Sequence, residues 1–277
     1  MALIRERPLA TFFVGSVAIG WAVTALSMQL PGSAILLPLV AIPVSYVPAA
    51  MAFIVLRIAG SADERGALRR RLTTFRVGWM WYAVALLVLP LIHVAGVGLA
   101  ALTGARIPFE PAMIALLPLF LFTNLGEEIG WRGYAQPKLQ DRIDPFMAAL
   151  VVGLVWALFH WVALLGNAES PWAYVLISTA HLTAMSVIMA FIFNRAREAL
   201  PVLVLAHASY DTVSIGVVPL VGTGLPLLAF GLSAVVAWVV AAALVVRWGR
   251  DLGRTPAGQR LGSKVGRTGR ASEAPVH

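Results

Sequence analysis

Eight apolar runs, each long enough to cross a bilayer, constrain this chain more than any other feature. They lie near residues 9–29, 34–57, 77–101, 111–127, 145–165, 172–193, 202–219 and 224–246. Each has roughly the 17–25 residues an α-helix needs to span the hydrocarbon core. None alternates with a period of two, and Leu, Ala, Val and Ile dominate, so helices fit and barrel strands do not. A hydrophobic content of 60% against 12% charged residues is not that of an ordinary soluble domain. The expected fold is all-α, a polytopic membrane protein with about eight transmembrane helices forming one domain over 1–248.

The distribution of charge sets the expected topology. Arg5 and Arg7 precede the first run, and Arg57, Arg65, Arg69, Arg70, Arg71 and Arg76 lie between the second and third. Arg132, Lys138 and Arg142 follow the fourth, Arg195 and Arg197 the sixth, and seven more from Arg247 to Arg270 the eighth. Only Arg106 falls on the other side, so 20 of 21 basic residues share one face of the membrane. By the positive-inside rule that face is cytoplasmic, giving a multi-pass cell-membrane protein with both termini inside. The net charge of +8 therefore reports topology and contact with membrane lipids, and nucleic acid is not needed to explain it. The first run follows its arginines as a signal peptide would, but its length favours an uncleaved span. Residues 249–277, rich in Gly, Arg, Ser and Thr and without apolar periodicity, read as a basic, disordered cytoplasmic tail. Ser61-Ala62-Asp63-Glu64 opens a short basic helix in the connector 60–76, with Arg69, Arg70 and Arg71 as a solvated face. The absence of cysteine excludes disulfides, thiol catalysis and cysteine metal sites.

Against this background two adjacent carboxylates stand out. Glu127 and Glu128 end the fourth apolar run, and Arg132 follows four residues after the second. An ionisable group at membrane depth is costly unless it is paired or faces a polar cavity. Neighbouring residues on a helix diverge by about a hundred degrees, so the two carboxylates cannot address one atom. The i,i+4 spacing pairs Glu128 with Arg132. That leaves Glu127 to face a cavity as a general base.

Two later runs supply partners. His160 sits in an apolar helix after Trp156, and His207 and Asp211 lie one turn apart. If the three helices converge, Glu127 and His160 can hold a water while His207, with Asp211, donates to a developing oxyanion. Two histidines and a carboxylate also make a zinc environment, in which Glu127, His160 and His207 would be the ligands. No close H-E-x-x-H spacing is present, so the sequence leaves zinc and a metal-free site both open.

Glu127-Glu128-x-x-x-Arg132, Trp156-x-x-x-His160 and His207-x-x-x-Asp211, in that order and each in an apolar helix, resemble the motifs of the CAAX protease and bacteriocin-processing (CPBP, or Abi) family of intramembrane proteases. The resemblance runs from about residue 112 to 211. It implies an eight-span fold and hydrolysis of a peptide bond in a membrane-associated protein or peptide. Glu127 with His160 would activate water, His207 and the Asp211 position would form the oxyanion site, and Glu128 with Arg132 would support them. Members are labelled metalloproteases, while a metal-free glutamate mechanism has also been proposed. Two positions depart from the pattern. Trp156 stands where the family usually has Phe, which reads as a packing change. Asp211 stands where it usually has Asn, and an ionised carboxylate cannot donate to an oxyanion.

The same polar residues admit other readings. An ion- or proton-coupled transporter would use Glu127, His160, His207 and Asp211 as a relay, though internal repeats are not evident. A non-catalytic membrane scaffold would keep them as interhelical glue. His93 reads as a packed histidine, and His181 as structural or cavity-lining.

Overall fold

The computed structural model describes residues 1–29, 33–104, 106–107, 109–167, 170–217 and 227–254. Among these it is all-α and has no strand. The helices are α1 (Ala2–Glu6), α2 (Pro8–Ser27), α3 (Ser33–Ala59), α4 (Ala62–Thr73), α5 (Trp79–Ala101), α6 (Leu117–Glu128), α7 (Gln136–Gln140), α8 (Pro145–Asn167), α9 (Pro171–Arg195), α10 (Leu200–Asp211) and α11 (Leu227–Trp248). A 3-10 turn, Pro111–Leu116, leads into α6, and a π-helical turn, Ile129–Ala135, joins α6 to α7.

Seven helices among the described residues are long and apolar enough to cross a membrane, and the protein is a multi-pass membrane protein. They are Pro8–Ser27, Ile42–Ala59, Trp79–Ala101, Pro111–Gln140, Pro145–Gly166, Pro171–Arg195 and Leu227–Trp248. The sequence predicts about eight. The difference lies at 202–219, which is helical from Leu200, as α10 and a π-helical Thr212–Val217, with residues 218–226 outside the described set.

Close helix approach positions the site. Without a hydrophobic drive between helices in lipid, small residues let backbones pack and gain dispersion contacts. A Cβ on Gly126 would lie 2.6 Å from the Ser45 carbonyl oxygen, and one on Gly130 2.4 Å from Pro48 Cβ. Only glycine there lets α6 and the π-turn lie flat on α3. On the other side, α9 is the most buried span, with 67% of its apolar window inside the protein. It packs between α8 and α11 and forms the centre of the core.

The connector forms the predicted helix. The Glu64 N–H donates to Ser61 Oγ at 3.1 Å and the Ser61 N–H to Glu64 Oε2 at 2.9 Å, a reciprocal cap. Arg71 departs from the predicted solvated face. Its Nε donates to Glu198 Oε2 at 2.9 Å and its Nη1 to the Gly133 carbonyl at 3.2 Å, tying α4 to the π-turn. Gly249–Arg254, assigned by composition to the tail, is docked rather than loose. The Phe146 N–H donates to the Arg250 carbonyl at 2.9 Å, Arg250 pairs with Asp144 at 2.8 Å, and Leu252 is buried. Residues 255–277, the rest of that predicted tail, lie outside the described residues.

Candidate active site

The polar residues singled out by sequence come together around one cavity of about 280 Å³. Glu127, His160, His207 and Asp211 all line it, as do Asn124, Trp156 and His181. The contributing elements are α6, α8, α9 and α10.

Glu127 is almost fully buried, and its two oxygens are in different situations. Oε2 accepts from Trp156 Nε1 at 2.8 Å and from Trp131 Nε1 at 3.2 Å. Oε1 takes no hydrogen bond among the described residues. Trp131 reaches back from the π-turn, four residues on, and Trp156 comes across from α8. π-Helical turns occur frequently at functional sites, and this one directs both Trp131 and Arg132 back at the glutamates. Trp156 is therefore more than the packing change expected from sequence, because its indole N–H holds the candidate base where Phe would offer nothing.

Glu128 and Arg132 form the expected pair, Nη1 to Oε1 at 2.9 Å, with both side chains wholly buried. The same Oε1 also accepts from His207 Nδ1 at 2.9 Å. The guanidinium lies over the Trp156 ring with 4.5 Å to its centroid. Glu128 thus links the π-turn to α10 and fixes which nitrogen of His207 carries a proton toward it. The remaining nitrogen, Nε2, is 3.6 Å from Asp211 Oδ2, too far for a hydrogen bond. Asp211 instead accepts from Asn124 Nδ2 at 2.7 Å.

His160 Nδ1 is 2.9 Å from the Trp156 carbonyl. A carbonyl can only accept, so Nδ1 carries the proton and Nε2 of the neutral ring is an acceptor. His181 contacts the Tyr210 hydroxyl through Nε2 at 2.8 Å, and His93 packs edge-on against Tyr210 with centroids 6.1 Å apart. The predicted structural or cavity-lining roles of these two histidines agree with that geometry.

Residues missed in the sequence are Asn124, Trp131 and Trp156 as polar partners. Asn124, Glu127 and Trp131 follow i, i+3, i+7 spacing, which puts all three on one helical face and could have marked them. The hydrogen bonds described above use Glu127 Oε2, His160 Nδ1 and His207 Nδ1. Among the described residues no group of three or more His, Cys, Asp or Glu side chains is disposed to hold an ion.

The comparisons with known proteins point the same way as the motifs. Residues 108–213 match the family described as Rce1-like, type II CAAX prenyl endopeptidase. A stretch of 59 residues is 37% identical to CAAX prenyl protease 2 of Methanococcus maripaludis, covering 21% of this chain and 22% of that protein. The chain thus spans about a fifth of the curated relative in this match. Both matches support the resemblance to CPBP-family intramembrane proteases.

Proposed function

We propose that this protein is an intramembrane endopeptidase in which Glu127 is the general base. The observation that carries this reading is the pair of environments at Glu127. One carboxylate oxygen is anchored by two indoles, and the other has no hydrogen-bond partner among the described residues at a cavity shared with His160 and His207. A base must be held in a fixed geometry and still be open to what it deprotonates.

In the proposed reaction a water sits between Glu127 and the Nε2 acceptor of His160. Glu127 takes one proton as the water oxygen bonds to the scissile carbonyl carbon, and the carbonyl π pair moves onto oxygen. That oxyanion accepts from His207 Nε2–H and from the second N–H of Asn124. With Nδ1–H given to Glu128, His207 offers Nε2–H only as the imidazolium, whose charge the carboxylates of Glu128 and Asp211 balance. When the tetrahedral intermediate collapses, the C–N bond breaks. Glu127 returns its proton to the departing amine, giving a carboxylic acid and an amine. Asn124 thereby supplies the amide donor that Asp211 cannot, and Asp211 holds that amide in place.

The substrate class is a membrane-associated protein or peptide, and the relative's name brings prenylated C-terminal CAAX peptides to the head of the panel. The one-sided basic residues support a cell-membrane location with both termini cytoplasmic. The test is cleavage by purified protein of prenylated and plain CAAX peptides beside a general peptide library, with wild type and Glu127→Gln, with and without chelator. Cleavage by wild type alone is expected, unaffected by chelator. Equal cleavage by Glu127→Gln would sink the general-base role, and loss of wild-type activity with chelator would replace it with a metal site. Folded wild-type protein that cleaves nothing in the panel would remove the peptidase reading.

A further inference from the structure

Away from the cavity, the last turns of α3 and one face of α4 enclose a second concavity of about 620 Å³. At about 30 Å³ per water-sized group it has room for roughly twenty such groups, on the order of an acyl chain. Its floor is apolar: Phe53 and Ile54 from α3, Leu68 and Leu72 from α4. Phe53 and Ile54 are large apolar side chains left 51% and 45% exposed among the described residues. Its rim carries Arg57, Arg65 and Arg69. The residues at 65, 68, 69, 72 and 73 follow i, i+3, i+4, i+7, i+8 spacing, so one face of α4 supplies both the apolar wall and two of the arginines.

The charges on this rim differ from two of those beside it. Arg71, on the neighbouring side of α4, and Lys138, on α7, are each paired with a carboxylate, Glu198 and Glu64. Among the described residues, no carboxylate lies within ion-pair distance of Arg57, Arg65 or Arg69. Arg65 gives its Nη1 to the Leu56 and Gly60 carbonyls, closing the end of α3 and holding its charge at the mouth. All of this lies at the end of a membrane span, Ile42–Ala59, where apolar side chains meet acyl tails and arginines meet headgroups.

We infer that this groove is a binding site for an anionic phospholipid, with an acyl chain against Phe53, Ile54, Leu68 and Leu72 and the phosphate held by Arg57 and Arg69. Planar guanidinium groups bind phosphate oxygens in pairs, which a zwitterionic headgroup partly offsets with its own cation. An apolar floor under a cationic rim matches a phospholipid in both halves, whereas a free phosphate would use only the rim. The inference does not depend on the peptidase reading.

The test is native mass spectrometry of the full-length protein in detergent, titrated with dioleoylphosphatidylglycerol or dioleoylphosphatidylcholine. Thermal unfolding is followed in parallel. Phosphatidylglycerol should be retained preferentially and should raise the Tm. Each guanidinium near the surface is worth about fivefold, so Arg57→Gln with Arg69→Gln should lower that preference roughly 25-fold. The lipid-free Tm should be unchanged. Arg5→Gln with Arg7→Gln removes the same charge elsewhere and should leave the preference within about twofold of wild type. Leu72→Trp, which fills the floor and keeps every charge, should also lower retention. Equal retention of the two lipids, an equal loss in the Arg5/Arg7 variant, or the same Tm rise from inorganic phosphate alone would each overturn the site. So would preferential capture of an acidic peptide.

Discussion

The cavity of this molecule and its outer rim, away from the groove of Arg57 and Arg69, use the same ion-pair chemistry at different solvent exposure. Glu128 and Arg132 are wholly buried, and Glu128 also holds His207. Glu64 with Lys138 and Asp144 with Arg250 lie at the surface, where Arg250 keeps 58% of its side chain exposed. A rim pair gains little, because water screens it and long side chains lose freedom. A buried pair gains no more on balance, because desolvation of both ions offsets their attraction. The buried cluster even leaves Glu128 Oε2 and Arg132 Nε and Nη2 without partners among the described residues. A fold selected for stability alone would place apolar side chains there. Retaining such a cluster makes sense if its purpose is to orient His207 and Trp156 around Glu127, as the proposed general-base role requires.

The largest predicted effect tests that purpose. Glu127→Gln keeps the shape and an acceptor oxygen for the indoles but removes the base. Turnover should fall about 10²- to 10⁴-fold with little change in Tm. Close behind is the buried cluster itself. Removing one partner of a buried pair strands the other, so Arg132→Ala and Glu128→Ala should each cost about 3–5 kcal/mol and lower folded yield. Lys138→Ala, at the rim, should cost at most about 1 kcal/mol. Equal losses of Tm in Arg132→Ala and Lys138→Ala would erase the contrast between the two regions.

The two regions also differed in how far the sequence revealed them. Length and hydropathy located the spans, because a bilayer sets helix length directly. The charged members of the site were legible for a related reason: Glu127, Glu128 and Arg132 are conspicuous in an apolar run, and their i,i+4 spacing foretold the pair. His160, His207 and Asp211 were legible through motif order. Asn124 and the two tryptophans were not, since an uncharged amide or an indole in a membrane helix has many ordinary roles. Their hydrogen bonds to Asp211 and Glu127 appear only when α6, α8 and α10 converge. The docking of Gly249–Arg254 was hidden likewise, because its glycine-rich composition resembles the residues that follow it while Leu252 alone finds a buried seat.

Trp156→Phe gives the next effect in size and separates the two accounts of that residue. Phe preserves an aromatic face for Arg132 and His207 but deletes the N–H on Glu127. Hydrogen bonds to charged groups contribute roughly 1.5–3 kcal/mol, so turnover should fall about tenfold or somewhat more. Trp131→Phe, whose contact with the same oxygen is longer at 3.2 Å, should do less. Unchanged turnover in Trp156→Phe would return Trp156 to a packing role and leave Glu127 positioned by the cavity alone.

The smallest effect belongs to the rim, at Asp144. Burial tends to raise its carboxyl, but the Met147 N–H and Arg250 outweigh that and hold it below the usual carboxylate range. A depressed folded value means a contribution that is complete at neutral pH and lost only as the pH falls through the acid range. Between pH 8 and 6 the docking of Gly249–Arg254 should therefore be constant, and acid should release it. Asp144→Asn keeps an oxygen for the cap at Met147 but lacks the charge on Arg250, as the protonated acid does, so it should show the acid-released exchange at every pH. Asp144→Ala loses the cap as well and should cost about 1 kcal/mol. Hydrogen exchange at residues 249–254 as a function of pH reads both. A release midway between pH 8 and 6 would show that a different group governs this latch, and the rim would then share the tighter electrostatic coupling of the cavity.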